Sequence, residues 1–237
     1  MMIGERKNRV RLDGMSLTLE DVLRVARDGW GVELDEEAAR KVEEASAAVK
    51  AWENSDDVVY GITTGFGDLA TVNISRKDRR LLQENLLKSH ACGVGEPFSE
   101  EITRAMMLLR INSLIRGFSG ISLTTLHQFV AFLNLGITPV VPSQGSVGAS
   151  GDLCPLSHLA LPLLGLGKVR YKGRVILAAK ALQTAGLQPV QLGAKEGLAL
   201  NNGTASMGAM GVVALMAAED LAKTADIAAA LSIEALH

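Results

Sequence analysis

The last stretch of the chain constrains the fold most. From Thr204 to His237 the sequence keeps a helical pattern of Ala, Met, Val, Leu and Ile for roughly nine turns of about 3.6 residues each. No closing glycine or proline ends this pattern. A helix this long and this apolar needs other helices to bury it. We therefore expect a mainly helical protein that is truncated here or completes its core by association.

The rest of the chain also favours helices. Each of four predicted helices follows a residue that can cap its first turn: Thr18, Asp35, Ser75 and Ser99. A fifth helix is predicted to begin at about Ser122. The helix after Ser75 is predicted to reach His90, and the helix after Ser122 to stop at Gly136. Shorter helices are predicted over residues 156–164 and 178–185, and a loop or short helix over 196–202. Alternation around Lys172-Gly173 predicts a small β-hairpin over residues 169–177.

Composition and charge exclude several classes of function. The 24 Lys and Arg residues nearly balance 26 Asp and Glu, without a long basic run, so neither nucleic acid nor a membrane surface is an expected partner. Cys92 and Cys154 lack metal-ligand spacing and fit a reducing compartment. Residues 1–11 lack the apolar core of a secretory leader. The apolar run from Gly203 to Ala218 is short for a bilayer, so we expect a buried helix in a cytoplasmic protein.

The chain is 48% hydrophobic, but its central segment consists almost entirely of small residues: Gly145-Ser-Val-Gly-Ala-Ser-Gly-Asp152. Glycine at 148 and 151 lets the backbone fold tightly enough for the Gly151 nitrogen to reach the Ala149 carbonyl. Closure of that five-membered ring, with loss of water and of the Ser150 hydroxyl, leaves an exocyclic methylene. The tripeptide Ala149-Ser150-Gly151 is thus a candidate electrophile without an external cofactor, and Asp152 can steer protons during closure.

Other interpretations of this segment remain open on composition alone, which favours a simple turn. Phosphate binding at a helix start is a second alternative. It is weakened because no Gly-Lys-Ser/Thr follows, and no G-x-G-x-x-G opens a helix after a strand. A serine-hydrolase elbow is excluded because the G-x-S-x-G pattern is absent.

The sequence from Gly145 to His158 is similar to the signature of the histidine and aromatic amino-acid ammonia-lyases. Four further blocks occur in the order typical of that family: Tyr60–Gly67, Leu82–Leu86, Arg110–Gly120 and Glu196–Thr204. The resemblance covers nearly the whole chain after the first dozen residues. It implies the helical ammonia-lyase (fumarase/aspartase-like) fold, a homotetramer, and a methylidene-imidazolone (MIO) electrophile made from Ala149-Ser150-Gly151. Residues 1–202 then form the N-terminal lyase domain, and residues 203–237 begin a central helical bundle.

The resemblance also implies roles for individual residues. Tyr60 matches the base that removes a β-proton from the substrate, although a phenol is a poor base at neutral pH. Asn202 matches an asparagine near the electrophile and the substrate amine; its alternative role is a helix N-cap ahead of Gly203-Thr204. His90, in the pair Ser89-His90 typical of histidine lyases, is placed to bind a substrate imidazole. Its alternative is a histidine favoured by the helix dipole.

Three further residues are supporting candidates. Asp152 follows the electrophile, whereas Arg110 and Arg116 either contact a carboxylate or form structural ion pairs. His127 and His158 have no ligand-like partners and are predicted to be structural, and no metal is expected.

The function implied is elimination of ammonia from L-histidine to give urocanate, as in histidine catabolism. Alternatives are a tyrosine or phenylalanine ammonia-lyase, an aminomutase, or an inactive fragment that acts only as a scaffold. The resemblance further implies that other substrate-binding residues belong to a C-terminal half, supplied by a longer polypeptide or by a C-terminal partner chain.

Overall fold

A computed structural model of the chain describes residues 8–55, 57–67, 70–72, 74–148 and 151–236. The fold is mainly helical, as the sequence predicts. Its helices, in chain order, are α1 (Leu19–Ala26), α2 (Glu36–Glu53), α3 (Arg76–His90), α4 (Glu100–Leu114), α5 (Leu123–Leu135), α6 (Leu153–Ala160), α7 (Ala178–Ala185), α8 (Glu196–Asn201) and α9 (Ala205–Leu236). A 3-10 turn over Leu161–Leu164 extends α6.

Side-chain caps begin most of the helices that the sequence predicts. The side chains of Thr18, Asp35, Ser99 and Ser122 each accept a hydrogen bond from a backbone N–H in the first turn that follows. Ser75 differs, since its hydroxyl donates to the Asp78 carboxylate (2.6 Å) and no backbone cap forms. Local signals therefore place the helix starts correctly even where the capping bond is a different one.

Short strands hold the connections between the helices. The predicted hairpin is confirmed: β6 (Lys168–Tyr171) pairs antiparallel with β7 (Arg174–Leu177), and β4 (Thr138–Pro139) adds a third strand. Two further pairs were not predicted. β1 (Arg9–Leu12) pairs parallel with β2 (Gly31–Leu34), and β3 (Val94–Pro97) pairs antiparallel with β5 (Pro142–Gln144). Strands this short carry too little periodicity to be recognised from sequence unless a turn signal joins them, as Lys172-Gly173 joins β6 to β7.

The core is built around α4, which packs against α1, α5 and α9. Its residues from Thr103 to Leu108 are buried around the whole helix, together with Ile111 and Leu114. Phe129 and Phe132 of α5 are the bulkiest fully buried side chains. A helix segment enclosed on all sides has no polar face, which explains the unbroken apolar run from Ala105 to Leu109.

Only the first turns of α9 contact this core. Ala205, Ser206 and Ala209 are buried, whereas farther along Leu221 is 70% exposed and Leu236 is 82% exposed. The prediction that Gly203–Ala218 is a buried helix is therefore wrong for this chain, because no other described element reaches past its first turns. By length and composition alone, the helical stretch Glu196–Leu236 is also long and apolar enough to cross a membrane.

Candidate active site

The candidate electrophile loop, residues 145–152, joins β5 to α6. Ala149 and Ser150 lie outside the described residues. The glycines that flank them are described: Gly148 has φ +68° and Gly151 has φ +137°. Both angles lie in the region that glycine adopts readily and that other residues rarely adopt. The backbone on each side of the dipeptide therefore has the conformations that a tightly folded loop needs.

Asp152 anchors the loop to the start of α9. Its backbone N–H donates to the Gly203 carbonyl (2.6 Å). One carboxylate oxygen accepts from the Ser146 hydroxyl (2.8 Å), and the other accepts from the Met207 backbone N–H (2.9 Å). Because Met207 is the third residue of α9, Asp152 satisfies from outside the helix a donor that an N-cap side chain ordinarily satisfies. The side chain is only 2% exposed, so these bonds are shielded from water.

Asn202 lies directly against the end of the predicted ring. A Cβ atom added at Gly151 would be 2.6 Å from Oδ1 of Asn202, so a residue with a side chain does not fit at 151 without movement. Asn202 ends α8, where its backbone N–H donates to Leu198, and α9 begins only at Ala205. The alternative role as N-cap of the following helix is therefore wrong. Its position beside Gly151 agrees with the role that the resemblance implies.

Helix α8, only six residues long, is held in place from several sides. The Gln83 side-chain oxygen, on α3, accepts from the Gly197 backbone N–H (3.0 Å). The buried Glu196 carboxylate accepts from the Ser122 backbone N–H at the start of α5 (2.8 Å). Isolated helices this short are unstable. These contacts therefore hold α8 in place and, with it, the position of Asn202 at its C-terminal end. Sequence reasoning missed Gln83 and Glu196 as anchors, although both lie in the family-like blocks.

Arg110 reaches α8 from α4. It is 5% exposed, and its guanidinium donates to the Ala199 carbonyl and lies against Gly203. Its Nε has no hydrogen-bond partner, and in the described part of the chain no ion pair joins it to an acidic side chain. Burial lowers the pKa of Arg110 to about 10, so the side chain is still charged at neutral pH. The structure thus places Arg110 beneath the Asn202-Gly203 segment.

Tyr60 lies in a turn that packs on the same short helix. A Cβ atom added at Gly61 would be 2.9 Å from the Phe66 ring and 3.5 Å from Leu198 of α8. The Tyr60 ring meets Phe66 edge to face, with the ring centres 6.0 Å apart. Its side chain is 52% exposed. The turn therefore brings Tyr60 to α8, the helix that carries Asn202, and leaves the phenol on an open surface.

His90 ends α3 with one ring nitrogen committed to the backbone. Its Nδ1 is 2.9 Å from the Leu86 carbonyl oxygen, which also accepts from the Ser89 hydroxyl (3.1 Å). A carbonyl oxygen only accepts, so Nδ1 carries the proton in this geometry. The Nε2 atom of a neutral His90 is then an acceptor. This places a hydrogen-bond acceptor at the C-terminal end of α3.

The segment after His90 packs against the residues on either side of the candidate electrophile loop. The Gly93 backbone N–H donates to Nε2 of His158 (3.0 Å). A Cβ atom added at Gly93 would be 3.1 Å from the Gln144 carbonyl and 3.2 Å from the Cys154 sulfur. Burial lowers the pKa of His158, which favours the neutral ring that accepts this bond. The contact agrees with a structural role for His158.

Arg116 is not brought to the loop. It is exposed, with its guanidinium over the Phe118 ring (5.4 Å) and its side chain against Gly14. Asp152, Asn202, Arg110 and the turn that carries Tyr60 lie at α8 or at the loop. His90 ends α3, three residues before Gly93, which packs against the start of the loop. Among the described residues, no group of three His, Cys, Asp or Glu side chains is arranged to hold a metal ion.

Known proteins similar to this chain include ammonia-lyases and an aminomutase. A family model described as aromatic amino acid lyase matches residues 17–237. Histidine ammonia-lyase from Symbiobacterium thermophilum is 55% identical over 94% of this chain and 44% of its own length. The crystal structure of histidine ammonia-lyase from Trypanosoma cruzi has a TM-score of 0.85 at 39% identity, covering 92% of this chain and 42% of that one. Pantoea agglomerans phenylalanine aminomutase has a TM-score of 0.85 at 35% identity, with 92% and 42% covered. The chain thus spans less than half the length of these relatives.

Proposed function

Because the chain belongs to the aromatic amino acid lyase family, we propose that it carries the electrophile of an enzyme that eliminates ammonia from L-histidine to give urocanate. The observation that carries the proposal is the arrangement at Gly151, where Asn202 and the Asp152 bonds hold the last ring-forming residue. The 55% identity to a histidine ammonia-lyase, against 35% to a phenylalanine aminomutase, favours histidine as the substrate.

The described residues fit a ring made from Ala149-Ser150-Gly151. Closure joins the Gly151 nitrogen to the carbonyl carbon of Ala149, and the carbonyl oxygen leaves as water with the amide protons of Gly151 and Ser150. The Ser150 hydroxyl leaves as a second water with the Cα proton. Gly151 suits the nucleophile because it has no side chain beside Asn202. When formed, the methylidene-imidazolone supplies an electrophilic methylene that makes the substrate's β-proton more acidic.

Tyr60 is the base in this proposal. It removes the β-proton, and its phenol is 52% exposed on the turn that packs against Leu198 of α8, so a substrate can reach it. General bases contribute about 10²- to 10⁴-fold to turnover, so loss of the hydroxyl is expected to reduce kcat by at least about 100-fold.

His90 selects the substrate. Its neutral Nε2, left as an acceptor by the Nδ1 contact with Leu86, suits the N–H of a substrate imidazole. A phenyl ring offers no such donor and would leave this nitrogen unpaired in a closed site. A tyrosine or phenylalanine lyase, or an aminomutase, remains the alternative activity.

The enzyme we propose is a soluble cytoplasmic homotetramer, or an assembly completed by a C-terminal partner chain. Residues 1–202 form its N-terminal lyase domain, and residues 203–237 begin its central bundle. The exposed apolar side chains of α9 and the open position of Tyr60 support association, because both become buried only when further helices pack on them. Arg116, remote from the described loop, is proposed to act structurally.

Intact mass and product analysis test the proposal together. Ring closure removes two waters, so about 36 Da should be missing from the mature chain, and the Ser150→Ala variant should show no such loss. Incubation of the full-length natural protein with histidine, tyrosine and phenylalanine should yield urocanate from histidine. The Tyr60→Phe variant should keep the mass loss and lose turnover.

Two outcomes contradict parts of this proposal. Cinnamate or coumarate without urocanate would refute histidine as the substrate. An unmodified mass with no turnover on any of the three amino acids would favour the scaffold, the second candidate, over an enzyme.

A further inference from the structure

We infer that Arg110 is a positioning residue for formation of the electrophile, acting through the Asn202-Gly203 segment, and that it does not bind the substrate carboxylate. The inference rests on the proposed function, because it concerns how Ala149-Ser150-Gly151 closes. It assigns a purpose to a buried cation that the catalytic steps leave unused.

Arg110 contacts α8 where the helix ends. Its guanidinium donates to the Ala199 carbonyl, one of the last carbonyls of α8, which has no partner within the helix. Its Nη1 lies so close to Gly203 that a side chain at 203 would collide with it. The absence of a side chain at Gly203 is therefore what lets the guanidinium lie beneath this segment.

The same segment holds the end of the predicted ring. The Gly203 carbonyl accepts from the Asp152 N–H (2.6 Å), and Asn202 Oδ1 lies against Gly151. The Asn202-Gly203 segment thus lies between Arg110 on one side and, on the other, Gly151, which supplies the attacking nitrogen, and Asp152, which follows it. Reaction between neighbouring groups depends steeply on how well they are held, so a shift of Gly203 is expected to slow closure.

The cost of burying Arg110 suggests a role beyond stability. It is nearly inaccessible, its Nε has no hydrogen-bond partner, and the described residues offer it no ion pair. Buried charges without partners are unfavourable. The forked guanidinium donates to Ala199 through Nη2 while Nη1 lies against Gly203, and neither a lysine nor an apolar side chain has two such groups.

Arg104 provides a matched control on the same helix. It is equally buried (5% exposed), and its guanidinium also donates to backbone carbonyls, those of Val25 (2.8 Å) and Leu133 (3.2 Å). Those carbonyls belong to the ends of α1 and α5, away from the loop. Replacing Arg104 therefore removes the same chemistry from the core without touching Asn202 or Gly203.

The test compares Arg110→Met, Arg110→Lys and Arg104→Met in the full-length natural protein. Intact mass gives the fraction of chains that have lost two waters, and thermal unfolding gives stability. We expect Arg110→Met to lower the closed fraction at least tenfold and Arg110→Lys to restore it in part. Arg104→Met should lower the unfolding temperature but keep the wild-type closed fraction. KM for histidine should be unchanged in every variant. The kcat calculated per total protein should fall in proportion to the closed fraction, so that kcat per closed chain is unchanged.

The results that overturn the inference differ from those that refute the proposed function. A wild-type protein of unmodified mass refutes the proposed function. Complete ring closure in Arg110→Met overturns the inference but not the proposed function. A loss of ring closure in Arg104→Met as large as that in Arg110→Met does the same. A KM for histidine raised tenfold or more in closed Arg110→Lys chains would show that Arg110 binds substrate. If Arg110→Met does not fold, Arg110→Lys and Gly203→Ala, which displaces the guanidinium, decide by the same two measurements.

Discussion

Replacement of Asp152 should separate its hydrogen bonds from its charge. In Asp152→Ala, the Met207 N–H at the start of α9 and the Ser146 hydroxyl both lose their acceptor. In Asp152→Asn, the amide oxygen can still accept from Met207. The amide nitrogen can donate to Ser146, because a hydroxyl can reverse from donor to acceptor. The two variants have nearly the same burial but differ in how many buried donors stay paired.

The magnitudes follow from that difference. A hydrogen bond to a charged group contributes about 1.5–3 kcal/mol, and the Ser146 hydroxyl can rotate to another partner, so Asp152→Ala should cost about 3 kcal/mol of unfolding free energy. Asp152→Asn loses mainly the interaction of the charge with the α9 dipole, about 0.5–1 kcal/mol. At about 2–4 °C per kcal/mol for a chain of this size, the unfolding temperature should fall by about 6–12 °C in the first variant and by about 1–4 °C in the second.

Thermal unfolding followed by circular dichroism measures both values on the same chain. Ser146→Ala is the matched control, since it removes one of the two side-chain bonds and should cost about 1 kcal/mol. Equal losses in Asp152→Ala and Asp152→Asn would refute the reasoning, because they would show that the charge, and not the paired donors, is what the native state uses. A loss below about 1 kcal/mol in Asp152→Ala would show that water reaches the Met207 N–H.

Two further predictions concern pH and a strained turn. Burial lowers the native pKa of His158 from 6.5, so the unfolded chain binds the proton more readily; stability is complete above pH 6.5 and falls as the pH drops below it. His158→Gln, whose amide oxygen can accept from Gly93, should therefore show a smaller fall in unfolding temperature between pH 7.5 and 5.5 than the wild type. An equal fall in both proteins would contradict this. Lys172 has φ +50° ahead of Gly173 in the β6–β7 turn, so Lys172→Asn should stabilise by about 1 kcal/mol. Lys172→Ala, which keeps the strain, should leave the unfolding temperature unchanged, and a gain in both would refute the explanation.

Most helix boundaries could be predicted because their causes are local. A capping hydroxyl such as that of Ser122 satisfies donors within three residues, and Gly136 ends the same helix in a left-handed conformation (φ +69°). The Lys172-Gly173 turn of the hairpin is local in the same sense. By contrast, the pairing of Arg9 with Gly31 depends on segments 22 residues apart, and four-residue strands give no period strong enough to predict it.

In the candidate site, too, local features could be predicted from the sequence and nonlocal contacts could not. The order of its motifs, with Tyr60, His90, the loop tripeptide and Asn202, could be recognised from sequence because each motif is a run of neighbouring residues. The contacts between those motifs could not be predicted from the sequence. The role of Arg110 depends on contacts with Ala199 and Gly203, about 90 residues away, and on their burial.

The sequence by itself determined that the chain is helical, where most helices begin and end, and which loop is the candidate electrophile. The helices follow from hydrogen bonds and side-chain spacing within a few residues, and the loop from its resemblance to the signature of the family. Only the tertiary structure decided that Asn202 lies beside Gly151 and does not cap α9, that Arg116 lies away from the loop, and that most of α9 is exposed. The physical reason is that burial and nonlocal contacts depend on which elements pack together, and a sequence pattern specifies only that a surface is apolar, not what covers it.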